Sequence, residues 1–471
     1  MNLDGLDSLV FGLVLAGVLI VGILASRGVK TAKDWLVAGR SMGLLTLVGT
    51  LVMTELNTAT MLAFSAQAYL VGPWALTLPL VFLVGLGAYT LLVAKRYKRL
   101  NATSVAELYG ARFGRGLQRL ASLCFLIAML GFVATYVRSA ELVFTPVLEG
   151  WSGQSVSPWI SSGVLVLLVL AVTLGGGLKA VAASDLAAFF ISVVGLPALA
   201  WMGLSAVGGW SQVTSFYEAF PPGMELLPPR FVGSLVLLTA FTYIASPWYG
   251  QRMFAAKDEQ TAFGGVAISA VLVTALYMAA SVLAMCFRVQ IPDLADAQTA
   301  LPGAIAAWAP SGLRGLGFAV LLAVVMSTMS SIWNTWVAMA LTDSGAQISL
   351  SRTRWLTVLL ALGSWVISNL LVDDILDNMI LANVPIAALA FGLLGGLFWR
   401  GASRAGAWAA TISGVAGALI CWAFVPLYTW WWAIAAVPLS FVIGVAASRI
   451  WPDSPERAQA FYARTGAPWF G

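Results

Sequence analysis

Residues 43–72 read GLLTLVGTLVMTELNTATMLAFSAQAYLVG, a run long enough to cross a bilayer that carries Glu55, Asn57, Thr58 and Thr60 at its middle. About 20 apolar residues cover roughly 30 Å of hydrocarbon, and an ionisable group at that depth is costly unless it lines a transport path or a buried ligand site. The segment therefore points to a membrane protein whose interior is built to hold something polar.

The remainder of the chain agrees. Of 471 residues, 60% are hydrophobic and only 10% are charged, and the mean hydropathy is +0.90. Such a composition leaves almost no length for a soluble domain. About thirteen apolar stretches are predicted to span, centred on 8–25, 43–70, 74–94, 117–145, 158–176, 180–206, 229–250, 262–287, 315–342, 354–372, 376–399, 405–425 and 430–449. With the N-terminus outside, every Lys and Arg falls on an inner loop or the inner tail except Arg230, Arg288 and Arg314 outside and Arg138 within a helix. Positive residues stay on the cytoplasmic side, so the reading is N-terminus out and C-terminus in. The opening MNLDGLDS has no positive n-region, and the first stretch is expected to remain as a helix. Tyr428, Trp430, Trp431 and Trp432 are expected in an aromatic belt at the outer interface.

Several function classes drop out. The net charge of +5 calls for no nucleic-acid partner. Three cysteines, Cys124, Cys286 and Cys421, lie in separate apolar stretches, and the chain has no histidine, which excludes a disulfide framework and His-based metal or proton chemistry. No nucleophile is paired with a base, so an intramembrane enzyme lacks support.

Stretches two to six and seven to eleven form two groups of five. An odd number of spans forces the second group to enter the membrane inverted, which is the arithmetic of an inverted repeat with discontinuous first helices. The corresponding segments are 43–70 and LLTAFTYIASPWYGQR, where Pro247 lacks an amide hydrogen and disfavours helix at Ser246. The predicted organisation is a first helix and cytoplasmic loop (1–42), a first repeat (43–206), an extracellular connection (207–228), a second repeat (229–399), two further helices (400–450) and a cytoplasmic tail (451–471).

The chain also carries AGRSMG at 38–43, NTATMLAFSAQAYLVG within the second stretch and SVAELYGARFG at 104–114, followed by GGGLKAVAASD at 175–185. Further on come GQRMFAAKDEQTA at 250–262, VMSTMSS at 325–331 and FWRGASRAGAWAA at 398–410. In order and spacing these pieces resemble the sodium/solute symporter family, which includes proline, galactose and sialic acid symporters. The resemblance implies a leucine-transporter-like core and Na+-driven import of a small solute by alternating access. It implies sodium ligation by the carbonyls of Met53, Leu56 and Val324 and the hydroxyls of Ser327 and Thr328, with Asp185 near the sodium exit. The family usually carries Gln three positions after this Asp, where this chain has Ala188.

For the solute, the resemblance implies Asn57, Thr58 and Thr60 beside Arg138, Tyr243 and Trp248, with Glu55 close by. Other readings of these residues stand alongside. Ser327 and Thr328 can bond back to helical carbonyls, and Asp185, about 9 Å along the helix from Lys179, can simply neutralise a basic neighbour. Arg138 can hold a substrate carboxylate in a two-bond fork, as an Arg of this helix does in the sialic acid subgroup, or pair with Glu141 or Glu55. Glu55 can lock the helix break, accept a substrate ammonium, or carry the proton of an H+-coupled cycle. The expected function is a Na+-coupled symporter of a carboxylate-bearing solute. The alternatives are a neutral sugar or polyol, or a membrane sensor working through a separate partner. No obligatory protein partner is expected, and the location is a bilayer, as a multi-pass protein of a bacterial inner membrane.

Overall fold

A computed structural model describes residues 3–27, 29, 32–100, 102–221, 226–344, 349–372, 375–424 and 429–466. Among these the chain is helical, with no strand and an isolated backbone bridge between Met42 and Ala256. The principal helices are α1 (Gly5–Ser26), α2 (Leu44–Glu55), α3 (Thr58–Val71), α4 (Thr77–Tyr89), α5 (Arg115–Ser152), α6 (Pro158–Val207), α7 (Pro229–Ala245) and α8 (Pro247–Ala255). They continue as α9 (Glu259–Gln290), α10 (Leu313–Ser344), α11 (Leu350–Leu371), α12 (Ile375–Ala388), α13 (Ala390–Phe398), α14 (Arg404–Phe424) and α15 (Thr429–Ile450). Nine described helical segments are long and apolar enough to cross a bilayer, ten if α7 and α8, bent by 42°, count as one. Tyr428 and the side chains of Trp430, Trp431 and Trp432 lie outside the described residues.

The apolar stretches read from the sequence fall on helix, but the joints differ. Residues 158–176 and 180–206 are two helices, as read, but no loop separates them. The chain breaks helical geometry at Gly177 (φ 53°, ψ −147°), and Lys179 and Asp185 lie in the helix that starts there. Stretch 43–70 is split, as expected, into α2 and α3. The split is local chemistry: Leu56 (ψ 92°) and Asn57 (ψ 146°) are extended, and the Asn57 side chain accepts from the Thr60 amide at 2.7 Å as the N-cap of α3. The second split is set by Pro247, which removes a donor and holds Ser246 at ψ 122°.

The packing is inside-out relative to a soluble protein. Leu13, Leu91, Leu167, Val194 and Val442 stand well exposed on the outer surface of the bundle, where hydrocarbon rather than water meets them. α10 is the interior helix, its most apolar window 94% buried against 22% for α1. It packs against α1, α5 and α6, while α9 packs along both halves of the broken α2–α3 pair. The carboxylate of Asp7, fully buried, ties α1 to the head of α10 by accepting from the amides of Gly312 (2.8 Å) and Gly315 (3.0 Å) and from Arg314 Nε (2.6 Å). At the other end of the bundle, Met42 N–H donates to Ala255 O and Lys257 N–H to Met42 O, both at 3.0 Å, joining the approach to α2 with the exit from α8.

Gly177 gives the first prediction. A Cβ there would lie 2.5 Å from both the Trp35 ring and the Trp35 carbonyl oxygen, at a φ of +53° that L-residues avoid. Gly177→Ala should cost about 2 to 5 kcal/mol, the sum of left-handed strain and overpacking. A melting temperature in detergent within a degree of wild type would contradict this account of the kink.

Candidate functional site

The break between α2 and α3 strips several backbone groups of their helical partners, and each must be satisfied in a dry interior. Tyr277, on α9, serves as the hub. Its hydroxyl donates to Glu55 O (2.6 Å) and accepts from Asn57 N–H (3.0 Å) and from Asn57 Nδ2 (3.2 Å). Asn57 Nδ2 also donates to Glu55 O at 3.0 Å. The break is thus locked by Asn57 and Tyr277 rather than by the Glu55 carboxylate, which accepts instead from the Tyr243 hydroxyl.

Two carbonyls remain, and they turn toward α10. Met53 O would normally receive Asn57 N–H, and Leu56 O would receive Thr60 N–H, but those donors are spent on Tyr277 and on the Asn57 side chain. Facing them are Ser327 Oγ, 3.3 Å from Met53 O, and Thr328 Oγ1, 3.3 Å from Met53 O and 3.5 Å from Leu56 O. Each hydroxyl has only one proton. Thr328 gives its proton to Val324 O at 2.9 Å and Ser327 to Asp185 Oδ1 at 2.5 Å. Five oxygens, from Met53, Leu56, Val324, Ser327 and Thr328, therefore gather with no proton left for the longer contacts.

Asp185 is fully buried and its second oxygen accepts from Thr50 Oγ1 at 2.6 Å. Arg252 stands beside it, also fully buried, with one guanidinium nitrogen 3.8 Å from Asp185 Oδ2. The same guanidinium donates to Thr50 Oγ1 (3.1 Å), Trp248 O (3.2 Å) and Ser331 Oγ (2.7 Å). The sequence reading put Arg252 on an inner loop and made Arg138 the sole basic residue of the interior. The structure corrects both points: Arg252 lies on the half-helix α8, folded inward to the carboxylate that neutralises it. Asp185 touches the hydroxyl cluster through Ser327 and pairs with Arg252, a basic neighbour of the kind read as the alternative.

On the opposite face of the break lies a cavity of about 660 Å³, counting the space at its mouth. Glu55, Asn57 and Thr60 border it with Tyr243 and Trp248, as anticipated, and Thr54, Phe82, Phe132, Tyr136, Met379 and Asn383 complete most of the wall. Two expected residues are elsewhere. Thr58 donates to Leu321 O at 2.8 Å, and Arg138 pairs with Glu141 one turn along α5. Neither lines the cavity. Tyr277, Thr50 and Ser331 were not singled out in the sequence, and Arg252 was read there only as an inner-loop charge.

Residues 35–414 match the profile described as the sodium:solute symporter family. The sodium/pantothenate symporter of Escherichia coli K12 is 26% identical over 350 residues, 70% of either chain. The sodium/glucose cotransporter of Vibrio parahaemolyticus is 23% identical over 380 residues, covering 71% of this chain and 67% of that one. Among solved structures, a Na+-coupled sialic acid symporter in a substrate-bound outward-open state superposes with a TM-score of 0.79 at 18% identity, covering 95% of this chain and 98% of that one. MhsT in complex with L-phenylalanine gives 0.61 at 14% identity, covering 86% and 98%. These similarities establish the leucine-transporter-like fold that the family resemblance implied.

The hub residue supplies the second prediction. Tyr277→Phe removes one donor and one acceptor at the break and leaves Asn57 N–H unpaired, at a cost of about 1 to 3 kcal/mol. Na+ and solute binding should weaken together, because both faces of one break are loosened. Isothermal titration showing only one of the two affected would contradict the shared-hub reading.

Proposed function

The chain belongs to the sodium:solute symporter family, and we propose that Na+ sits among the oxygens of Met53, Leu56, Val324, Ser327 and Thr328 while the solute occupies the cavity across the break. The observation that carries this is the proton count. Uncharged oxygens facing one another at 3.3 to 3.5 Å with their protons committed elsewhere repel unless a cation lies between them. An ion of Na+ or Ca2+ size held about 2.4 Å from each oxygen sets octahedral neighbours about 3.4 Å apart, which matches. Four of the five ligands are carbonyl or Thr oxygens without formal charge, and the fifth, Ser327, is oriented by Asp185, which suits a monovalent ion better than a divalent one.

Binding of ion and solute to one break supports coupled transport by alternating access between the repeats 43–206 and 229–399, with the N-terminus outside. One charge moving down 100 mV releases about 2.3 kcal/mol, enough for roughly fifty-fold accumulation.

The cavity lining narrows the solute. Among the described residues, Glu55 is the acidic group in the wall, and no Lys or Arg borders it. Phe82, Phe132, Tyr136, Tyr243 and Trp248 offer aromatic faces. This wall favours a solute that presents donors to Glu55, either an ammonium over the rings or the hydroxyls of a polyol. The carboxylate-bearing class drew its support from Arg138, whose guanidinium is engaged by Glu141 away from the cavity.

Two outcomes follow. Ser327→Ala with Thr328→Ala should abolish Na+-stimulated uptake in proteoliposomes while leaving a folded, monodisperse protein, and K+ should not replace Na+ in the wild type; unaltered sodium dependence in the double variant would refute the cage. In a binding screen of amines, polyols and simple carboxylates, donors should bind best, and Glu55→Gln should weaken them ten- to hundred-fold, as expected for about 1.5 to 3 kcal/mol of charged hydrogen bonding. A preference for simple carboxylates that survives Glu55→Gln would overturn the donor reading and return attention to Arg138.

A further inference from the structure

The buried pair beneath the cage has a consequence for ion turnover. Asp185 offers Oδ1 to Ser327, a cage oxygen, and Oδ2 to Thr50, with the Arg252 guanidinium 3.8 Å away. Both charged side chains are fully buried. All three guanidinium nitrogens are engaged, but two of the contacts are hydroxyls and one is a carbonyl. Asp185 is the carboxylate in ion-pair range that balances the charge. Arg252 stays charged under any physiological condition, so its cation is permanent and cannot leave with the solute.

We propose that Arg252 is a tethered counter-cation that shares Asp185 with the transported Na+ and thereby limits how tightly the cage holds the ion. The inference rests on the Na+ cage above. With Na+ bound to Ser327, the ion stands within a few ångströms of Asp185, and the carboxylate interacts with two cations at once. When Na+ departs, Arg252 alone satisfies Asp185, so no naked carboxylate remains to pull the ion back. A buried acid without such a partner would bind Na+ tightly and release it slowly. Arg252 in this reading is a positioning residue: it touches neither ion nor solute and acts through Asp185.

A merely structural role for Arg252 predicts weaker Na+ binding when it is lost, whereas this proposal predicts the opposite sign. Arg252→Gln should lower the Na+ dissociation constant ten-fold or more, measured by tryptophan fluorescence titration with NaCl against constant ionic strength in KCl. The half-saturating Na+ for uptake should fall as well, together with the maximal rate. Arg252→Lys, which keeps the charge, should stay within a few-fold of wild type. Asp185→Asn should weaken Na+ binding, and adding Arg252→Gln to it should restore affinity toward the wild-type value, since the second change removes the orphaned cation. This pair also carries the test should Arg252→Gln alone fail to fold. No Na+ response in the wild type overturns the cage and this inference together. A wild-type response with affinity unchanged or weaker in Arg252→Gln, or a double variant no better than Asp185→Asn, overturns this inference and leaves the cage standing.

Discussion

A helix interrupted inside a membrane leaves amides and carbonyls that hydrocarbon cannot solvate, and each unpaired group costs enough to matter against the small net stability of a fold. The interruption at Leu56 and Asn57 is tolerated because several of the stranded groups have been given a use. Asn57 and Tyr277 absorb the amides, the Glu55 carbonyl accepts from both, and the carbonyls of Met53 and Leu56 are left facing the hydroxyls of α10. What would be a defect in a soluble helix becomes a cluster of inward-facing oxygens here. The position of α9 follows from the same need, since its Tyr277 must reach the break, and α10 must bring Ser327 and Thr328 against it.

This arrangement also explains how one local structure can serve two cargoes. The carbonyls of residues 53 and 56 point to one side of the break, while the side chains of Glu55, Asn57 and Thr60 point to the other. Any adjustment of backbone torsion at Leu56 or Asn57 moves both sets together. The protein is a sodium-coupled transporter by family, and under the proposed sites its coupling would be seated in two residues of extended chain.

Much of the fold was legible because hydrophobic length is a strong signal and Pro247 is a strong local one. The expectation of a sodium site at Ser327 and Thr328 came only through the likeness of VMSTMSS to a family motif; by residue chemistry alone they look like any small residues packing between helices. Arg252 was misread for a physical reason. The expectation that Lys and Arg lie in cytoplasmic loops is a rule about unpaired charge, and it fails where a distant Asp185 makes burial tolerable. Tyr277 carried no signal, because a tyrosine in a long apolar helix is more often packing than hub. Lys179 invited a loop, since nothing in GGGLK distinguishes a loop from a kinked helix turned by one glycine. Arg138 stayed open on paper between a substrate carboxylate and the acids Glu141 and Glu55, and the structure shows the Glu141 pair.

The short backbone bridge between Met42 and residues 255 to 257 joins the approach to the first broken helix with the exit from the second. Its two hydrogen bonds are made by main-chain atoms alone, so the coupling between α2 and α8 does not depend on what side chains stand at Met42 or Ala256. The joint itself therefore tolerates any side chain that fits the buried space at these two positions, except proline, which at 42 or 256 would delete a donor. The two inner half-helices are thus yoked like the paired arms of a single hinge plate, and a force applied to either one is felt by the other before any neighbouring helix has to yield.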